Sequence, residues 1–180
     1  MRIAVDLDSI LADIMKALLP RLNQKYGLNL IEGQITEWDY PINGRSIGED
    51  IKEHLADPVF VLTMPEVEGA KQALEELYKD HEIIVATGRP FYSKRYTYLW
   101  LDGRFKYDNI IFSREKTVQN LKCDVLVDDS DIYMSKFLKS GGKGILLRKP
   151  WNQNFVHDMS KHTCFVANNW ENIVECIKYI

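Results

Sequence analysis

The chain has 180 residues, 46% hydrophobic and 27% charged, with a formal net charge of −3 at pH 7. That length suits one α/β domain with a small insertion and is short for two full domains. The composition excludes a disordered chain, and a slightly acidic balance without a long basic run disfavours nucleic-acid binding through bulk charge.

Ile3-Ala4-Val5 is a short β-type run ending at Asp6. Leu11 to Tyr26 carries Leu11, Ile14, Met15, Leu18, Leu19 and Leu22 at helical spacing, with Pro20 expected to kink or end the helix. Residues 27–66 are less regular, with one short helical candidate near Ile51–Leu55, and look like an insertion after the first strand. Alternation then becomes regular. Helices are expected over Gly69–Lys79, Tyr92–Leu101, Ile132–Lys139 (stopped by Gly141-Gly142, with Asp131 as N-cap) and Trp170–Tyr179. Strands are expected over His81–Ala86, Asn109–Phe112, Val125–Val127, Gly144–Leu147 and Cys164–Ala167. Strands alternating with helices imply parallel βαβ units and a doubly wound, Rossmann-like parallel sheet with helices on both faces.

Sites in such sheets lie at the carboxyl ends of the strands. Those ends carry Asp6 and Asp8, then Thr87-Gly88-Arg89, then Ser113-Arg114 and Lys116, then Asp128-Asp129. Carboxylates brought together repel unless a cation compensates. Oxygen ligands without Cys or His suggest a hard ion, and a site open to substrate favours Mg²⁺ over Ca²⁺. Lys116 and Arg114 are surplus to metal binding and make sense if an anion also enters. Thr87 supplies a hydroxyl, and Gly88 lets backbone N–H groups approach that anion. The sum is a phosphate site. Asp6 and Asp8, two residues apart after a strand, can share a pocket. One then attacks phosphorus while the other protonates the leaving oxygen and later activates water.

With these residues the chain resembles haloacid-dehalogenase-type (HAD) phosphatases. Ile3 to Leu11 is similar to their first motif, and Thr87, Lys116 and Asp128-Asp129 follow in the order of the other three. Within that superfamily it resembles the 5′(3′)-deoxyribonucleotidases, through Asp6 to Asp13, Pro58 to Ala70, Ile111 to Val118, Leu126 to Asp129 and Asn169 to Ile173.

The resemblance implies Asp6 as nucleophile and Asp8 as general acid/base. It implies Mg²⁺ held by Asp6, Asp128, the Asp8 backbone carbonyl and, through water, Asp129. It implies phosphate held by Thr87 and Lys116 with Arg114 near it, while Gly88 joins the phosphate site only through the backbone approach read above. It divides the chain into a core (1–13 and 67–180) and a small helical cap (14–66), with Phe60 lining the nucleotide pocket and Ile14 standing where eukaryotic members place an aromatic. The implied substrates are deoxyribonucleoside monophosphates, with a weak preference for pyrimidines and a base choice that the departures below leave open. Ser9 departs from the usual glycine, which puts modest strain on its turn. Gly88-Arg89 departs from a small polar pair, leaving Arg89 either a further anion contact or a structural role. Trp38 and Tyr40 either line the base pocket or pack the cap.

Other readings stand beside this one. A different small phosphate ester would suit the same core, because the cap chooses the substrate. A phospho-acceptor receiver also carries acids, Thr and Lys at strand ends, but lacks a residue like Asp8 and a cap. A nucleotide-binding module without turnover is the third. Read singly, Asp6 and Asp8 fit a solvated turn, Lys116 a surface lysine and Arg114 a rim salt bridge. Lys149-Pro150-Trp151-Asn152 follows a strand end and either borders the site or, the favoured reading, packs on the surface, and His54, His81, His157 and His162 lack metal-ligand spacing.

Cys123, Cys164 and Cys176 form neither a disulfide framework nor a zinc ribbon, and read as buried small hydrophobes in a reducing compartment. No window approaches the roughly 18 apolar residues of a membrane helix. Asp6, Asp8 and Asp13 also interrupt any signal-peptide core. A soluble, cytoplasmic protein is expected. It would bind no membrane and no nucleic-acid polymer, and a homodimer is compatible with a sequence that does not set oligomeric state.

Overall fold

Alternating apolar residues along each strand build the two faces of the central sheet in the computed structural model, which describes residues 1–157 and 163–180. The first strand, β1 (Arg2–Val5), leads through a loop to α1 (Ile14–Tyr26). A 3-10 turn (Glu32–Gln34), the hairpin β2 (Pro41–Ile42) and β3 (Arg45–Ser46), α2 (Ile47–His54) and α3 (Pro58–Thr63) complete the segment before the regular alternation. That alternation runs α4 (Ala70–Leu77), β4 (Glu82–Thr87), α5 (Lys94–Leu101), β5 (Asn109–Phe112), α6 (Val118–Leu121), β6 (Val125–Asp128), α7 (Asp131–Lys139), β7 (Lys143–Leu147), β8 (Cys164–Ala167) and α8 (Trp170–Ile177).

Among the described residues the main sheet has six strands in the order β5-β4-β1-β6-β7-β8, every pair parallel. This is the doubly wound sheet expected from the alternation. Side-chain period two splits its core. Ile3, Val5, Ile83, Val85, Val125 and Val127 join α1, α4 and α8 in the larger cluster, around Leu18, Leu74 and Trp170. Ala4, Ile84, Ala86 and Leu126 face α7 through Met134, Phe137 and Leu138. No helix among the described residues is long and apolar enough to cross a membrane.

Four local expectations need correction. Pro20 does not end α1, which continues to Tyr26 and closes on Gly27 at φ +66°. Pro20 is exposed, while Ile14, Met15, Leu18, Leu19 and Leu22 are buried on the opposite face, so packing outweighs one missing backbone hydrogen bond. Residues 27–66 hold more regular structure than composition suggested. A capping box from Ser46 to Glu49 starts α2 earlier than Ile51, and Asp57 caps α3 with Pro58 at its first position. The N-cap of α7 is Ser130, whose hydroxyl accepts from Tyr133 N–H, so Asp131 lies inside the helix. Cys123 and Cys164 are buried as expected, with burial pushing their thiols up to about 11 and about 12, but Cys176 is only half-buried. His162 lies outside the described residues.

Candidate active site

Parallel pairing of β4, β1 and β6 puts their carboxyl ends side by side. Asp6 follows β1, Thr87 ends β4 and Asp128 ends β6. The Asp6 N–H donates to Val127 O at 2.9 Å, which locks the two strand ends in register. The loop after β1 turns back at Ser9, whose φ of +64° is left-handed and whose N–H donates to Ala12 O at 2.8 Å. A glycine reaches this conformation without strain.

Lys116 arrives from the loop after β5 with its side chain wholly buried. Its Nζ lies 2.6 Å from Asp6 Oδ1 and 2.6 Å from Asp128 Oδ2. The other Asp128 oxygen accepts from Ser130 N–H at 2.7 Å. Asp6, Asp128 and Asp129 each offer a carboxylate oxygen, all within 4.8 Å of one another. Burial, and then neighbouring Asp128 and Asp8, push Asp6 up to about 7 despite Lys116. Burial and the same crowding hold Asp129 well above the usual carboxylate range. Burial opposes the charge on Lys116, but Asp128 and Asp6 outweigh it and raise the ammonium.

Three buried carboxylates share one ammonium, so the cluster is short of positive charge. Asp129 Oδ1 is buried without a hydrogen-bond partner. An all-oxygen donor set, excess negative charge and an orphaned carboxylate oxygen together fit a hard divalent cation.

Beside this cluster opens a cavity of about 230 Å³, lined by Asp6, Asp8, Lys116, Gly88, Arg89 and Arg114 at one end. Its other end is walled by Ile14, Met15, Trp38, Ile51, Lys52 and Leu55. Asp6, Asp8, Gly88, Lys116, Arg114 and Ile14 therefore face one space. Thr87 is fully buried beneath it, with Oγ1 accepting from Arg89 N–H at 3.2 Å. Arg114 is exposed at the rim, its Nε donating to Gly88 O at 3.4 Å.

Phe60 is not brought there. It is buried with its ring edge against His54 (5.2 Å between centroids) and under the Arg21 guanidinium (5.0 Å), because α3 turns this residue toward α1 and α2. Trp38 lines the cavity, while Tyr40 packs against the core. Arg89 is buried and grips the Asp8 carboxylate, with Nη2 to Oδ1 at 2.7 Å and Nε to Oδ2 at 3.0 Å.

Sequence reasoning missed one participant and set two others aside. Tyr133, in the first turn of α7, lines the cavity with Lys116 Nζ 4.7 Å from its ring centroid. Its place one turn after a strand-end acid was the available signal. Trp151 and Asn152 are buried, which overturns the surface-packing reading. Trp151 Nε1 donates to Asp129 Oδ2 at 2.8 Å, and Asn152 Nδ2 donates to Asp129 O at 2.8 Å. Trp151 also meets Trp38 edge-on, 6.1 Å between centroids.

Residues 1–180 match the family described as 5′ nucleotidase, deoxy (Pyrimidine), cytosolic type C protein. The chain belongs to this family. Its members are phosphoric-monoester hydrolases, and this chain is one of them. A 5′(3′)-deoxyribonucleotidase of Bacillus subtilis is 27% identical over 180 residues, covering 95% of each chain. A haloacid-dehalogenase-like hydrolase from Streptococcus pneumoniae shares the fold with a TM-score of 0.67 at 13% identity, covering 98% of this chain and 97% of that one. A HAD hydrolase from Bacillus subtilis, solved bound to magnesium, has a TM-score of 0.60 at 11% identity, covering 98% of each chain.

Proposed function

We propose that this nucleotidase-family hydrolase is a Mg²⁺-dependent phosphatase of deoxyribonucleoside monophosphates, working through a phosphoryl group carried on Asp6. The observation that carries the reading is Lys116 between Asp6 and Asp128, at 2.6 Å from each, beside a cavity that Asp8 also lines. Asp6, Asp128, Asp129 and the Asp8 carbonyl would hold the ion. When bound, it supplies positive charge against the phosphate oxygens and against the clustered carboxylates.

A carboxylate oxygen of Asp6 attacks phosphorus, and the bond to the ester oxygen breaks. Asp8 delivers its proton to that departing oxygen. Water then attacks phosphorus, giving its proton to Asp8, and the bond to Asp6 breaks to release phosphate. Lys116 neutralises charge on Asp6 and on the transferring oxygens. Gly88, Thr87 and Arg114 form the phosphate wall, with Thr87 acting through the backbone it braces. Residues 14–66 serve as the cap, and Ile14, Trp38, Ile51 and Leu55 give the base an apolar enclosure that limits access to small esters and excludes water.

Phosphate release from a panel of 5′- and 3′-, deoxy- and ribonucleotides, with Mg²⁺ or chelator, tests the reading. Metal-dependent turnover that favours deoxynucleotides and is lost in Asp6→Asn is expected. Turnover of only a non-nucleotide ester would keep the Asp6 and Asp8 chemistry and remove the nucleotide assignment. No turnover of any ester by folded, Mg²⁺-loaded protein would favour the receiver or binding readings.

A further inference from the structure

Arg89 is a buried cation at the crevice to which the reaction scheme gives no work. Its side chain has no solvent exposure, whereas that of Asp8 keeps 18%. The guanidinium engages both oxygens of Asp8, with Nε 3.2 Å from Oδ1 and 3.0 Å from Oδ2 and Nη2 2.7 Å from Oδ1. The far side of the fork is fixed as well. Nη1 donates to Thr97 Oγ1 on α5 at 3.1 Å, and Nη2 lies 3.3 Å from Met64 Sδ at the end of α3. The backbone N–H of Arg89 is tied to Thr87 Oγ1 at the end of β4. Three elements therefore immobilise the guanidinium, and the guanidinium in turn fixes the plane of the Asp8 carboxylate.

An unpaired aspartate at a cavity edge would rotate among staggered rotamers. A planar fork selects one orientation, which a lysine ammonium cannot do because it is a point donor. Binding a substrate phosphate directly would require Arg89 to break this buried pair. Arg114, exposed at the rim, faces no such cost.

We propose that Arg89 is a positioning residue for Asp8, holding its carboxylate where it reaches the ester oxygen and the attacking water, and that Arg89 is not a phosphate ligand. The inference rests on Asp8 acting as proton donor and acceptor.

The test compares Arg89→Met and Arg89→Lys with wild type on a nucleoside 5′-monophosphate and on 4-nitrophenyl phosphate, with folding checked by circular dichroism and melting. The nucleoside alkoxide needs a proton to depart, and 4-nitrophenolate does not. On the nucleotide, kcat should fall about 10- to 100-fold with KM within about threefold, the scale of an impaired general acid. On the aryl ester the pre-steady-state burst of nitrophenolate should keep its rate, because forming the phosphorylated Asp6 then needs no proton from Asp8. In an Asp8→Asn background, Arg89→Lys should cause little further loss, since its partner is already gone. If Arg89→Met does not fold, Arg89→Lys carries the comparison alone, with bulk and charge retained.

A KM rise on both esters with loss of the burst would instead make Arg89 a phosphate ligand. An equal kcat loss on both esters that persists in Asp8→Asn would make it merely structural. Wild type that hydrolyses another alkyl phosphate but no nucleotide would overturn the substrate assignment alone, and the alkyl-to-aryl split on that ester would still decide the role of Arg89. Wild type inert toward every ester would overturn both.

Discussion

Ser9 holds a left-handed backbone at φ +64° with its hydroxyl buried and unpaired. That conformation costs an L-residue about 1–2 kcal/mol. Glycine would relieve it, at an entropic cost of about 0.5–1 kcal/mol through the unfolded chain. Ser9→Gly is therefore expected to stabilise the protein by about 0.5 kcal/mol, a rise of about 1–2 °C in Tm by calorimetry. A clear drop in Tm would show that the serine side chain contributes more by packing than its backbone loses by strain. Lys116 shows the opposite economy at the same scale. Its wholly buried ammonium is tolerated because two carboxylates lie 2.6 Å away.

At the scale of elements, the connection after β7 reaches back into the acidic cluster. Its 3-10 turn (Pro150–Asn152) delivers two donors to Asp129, one from an indole and one from an amide. The indole bond leaves the second Asp129 oxygen as the unpartnered one. Groups that orient a ligand change metal affinity about 10- to 100-fold when lost. Trp151→Phe keeps an aromatic ring beside Trp38 and removes the N–H together with part of the indole. It should weaken Mg²⁺ binding by about tenfold in a calorimetric titration of the folded protein. Unchanged affinity would mean that Asp129 takes no part in holding the ion.

Across the whole molecule, the parallel sheet gathers acids at one edge, and that makes stability depend on pH and on metal. Asp6 sits near 7 rather than 3.8, chiefly through burial and then through Asp128 and Asp8. Between those values the folded chain holds a proton that the unfolded chain has released. Stability from this group is therefore full below about pH 4 and declines as pH rises toward 7. A divalent cation removes the need for that proton. Melting temperatures measured from pH 4 to 8 in chelator should fall with pH more steeply for wild type than for Asp6→Asn, and Mg²⁺ should flatten the wild-type curve. Identical slopes with and without Mg²⁺ would contradict a metal at this cluster.

The alternation of strands and helices was legible in the sequence because period two and period 3.6 are local properties of the chain. Asn109–Phe112 and Cys164–Ala167 form strands at the expected bounds. So was the convergence of Asp6, Gly88, Arg114 and Lys116, because a parallel sheet puts every strand's carboxyl end on one edge. The helix through Pro20 was not legible, since its stability comes from buried faces supplied by distant residues. Asp57-Pro58 and Ser46 to Glu49 did carry helix-start signals, hidden in a stretch whose composition suggested irregular chain. The partners of the acids lay further still from local pattern. Arg89 finds Asp8 across 81 positions, and Trp151 finds Asp129 across 22. Phe60 turns away from the cavity and Trp38 toward it. Residue type and spacing name the groups that can do chemistry, but which of them face each other is set by packing between elements distant in sequence, and only the tertiary structure decides that.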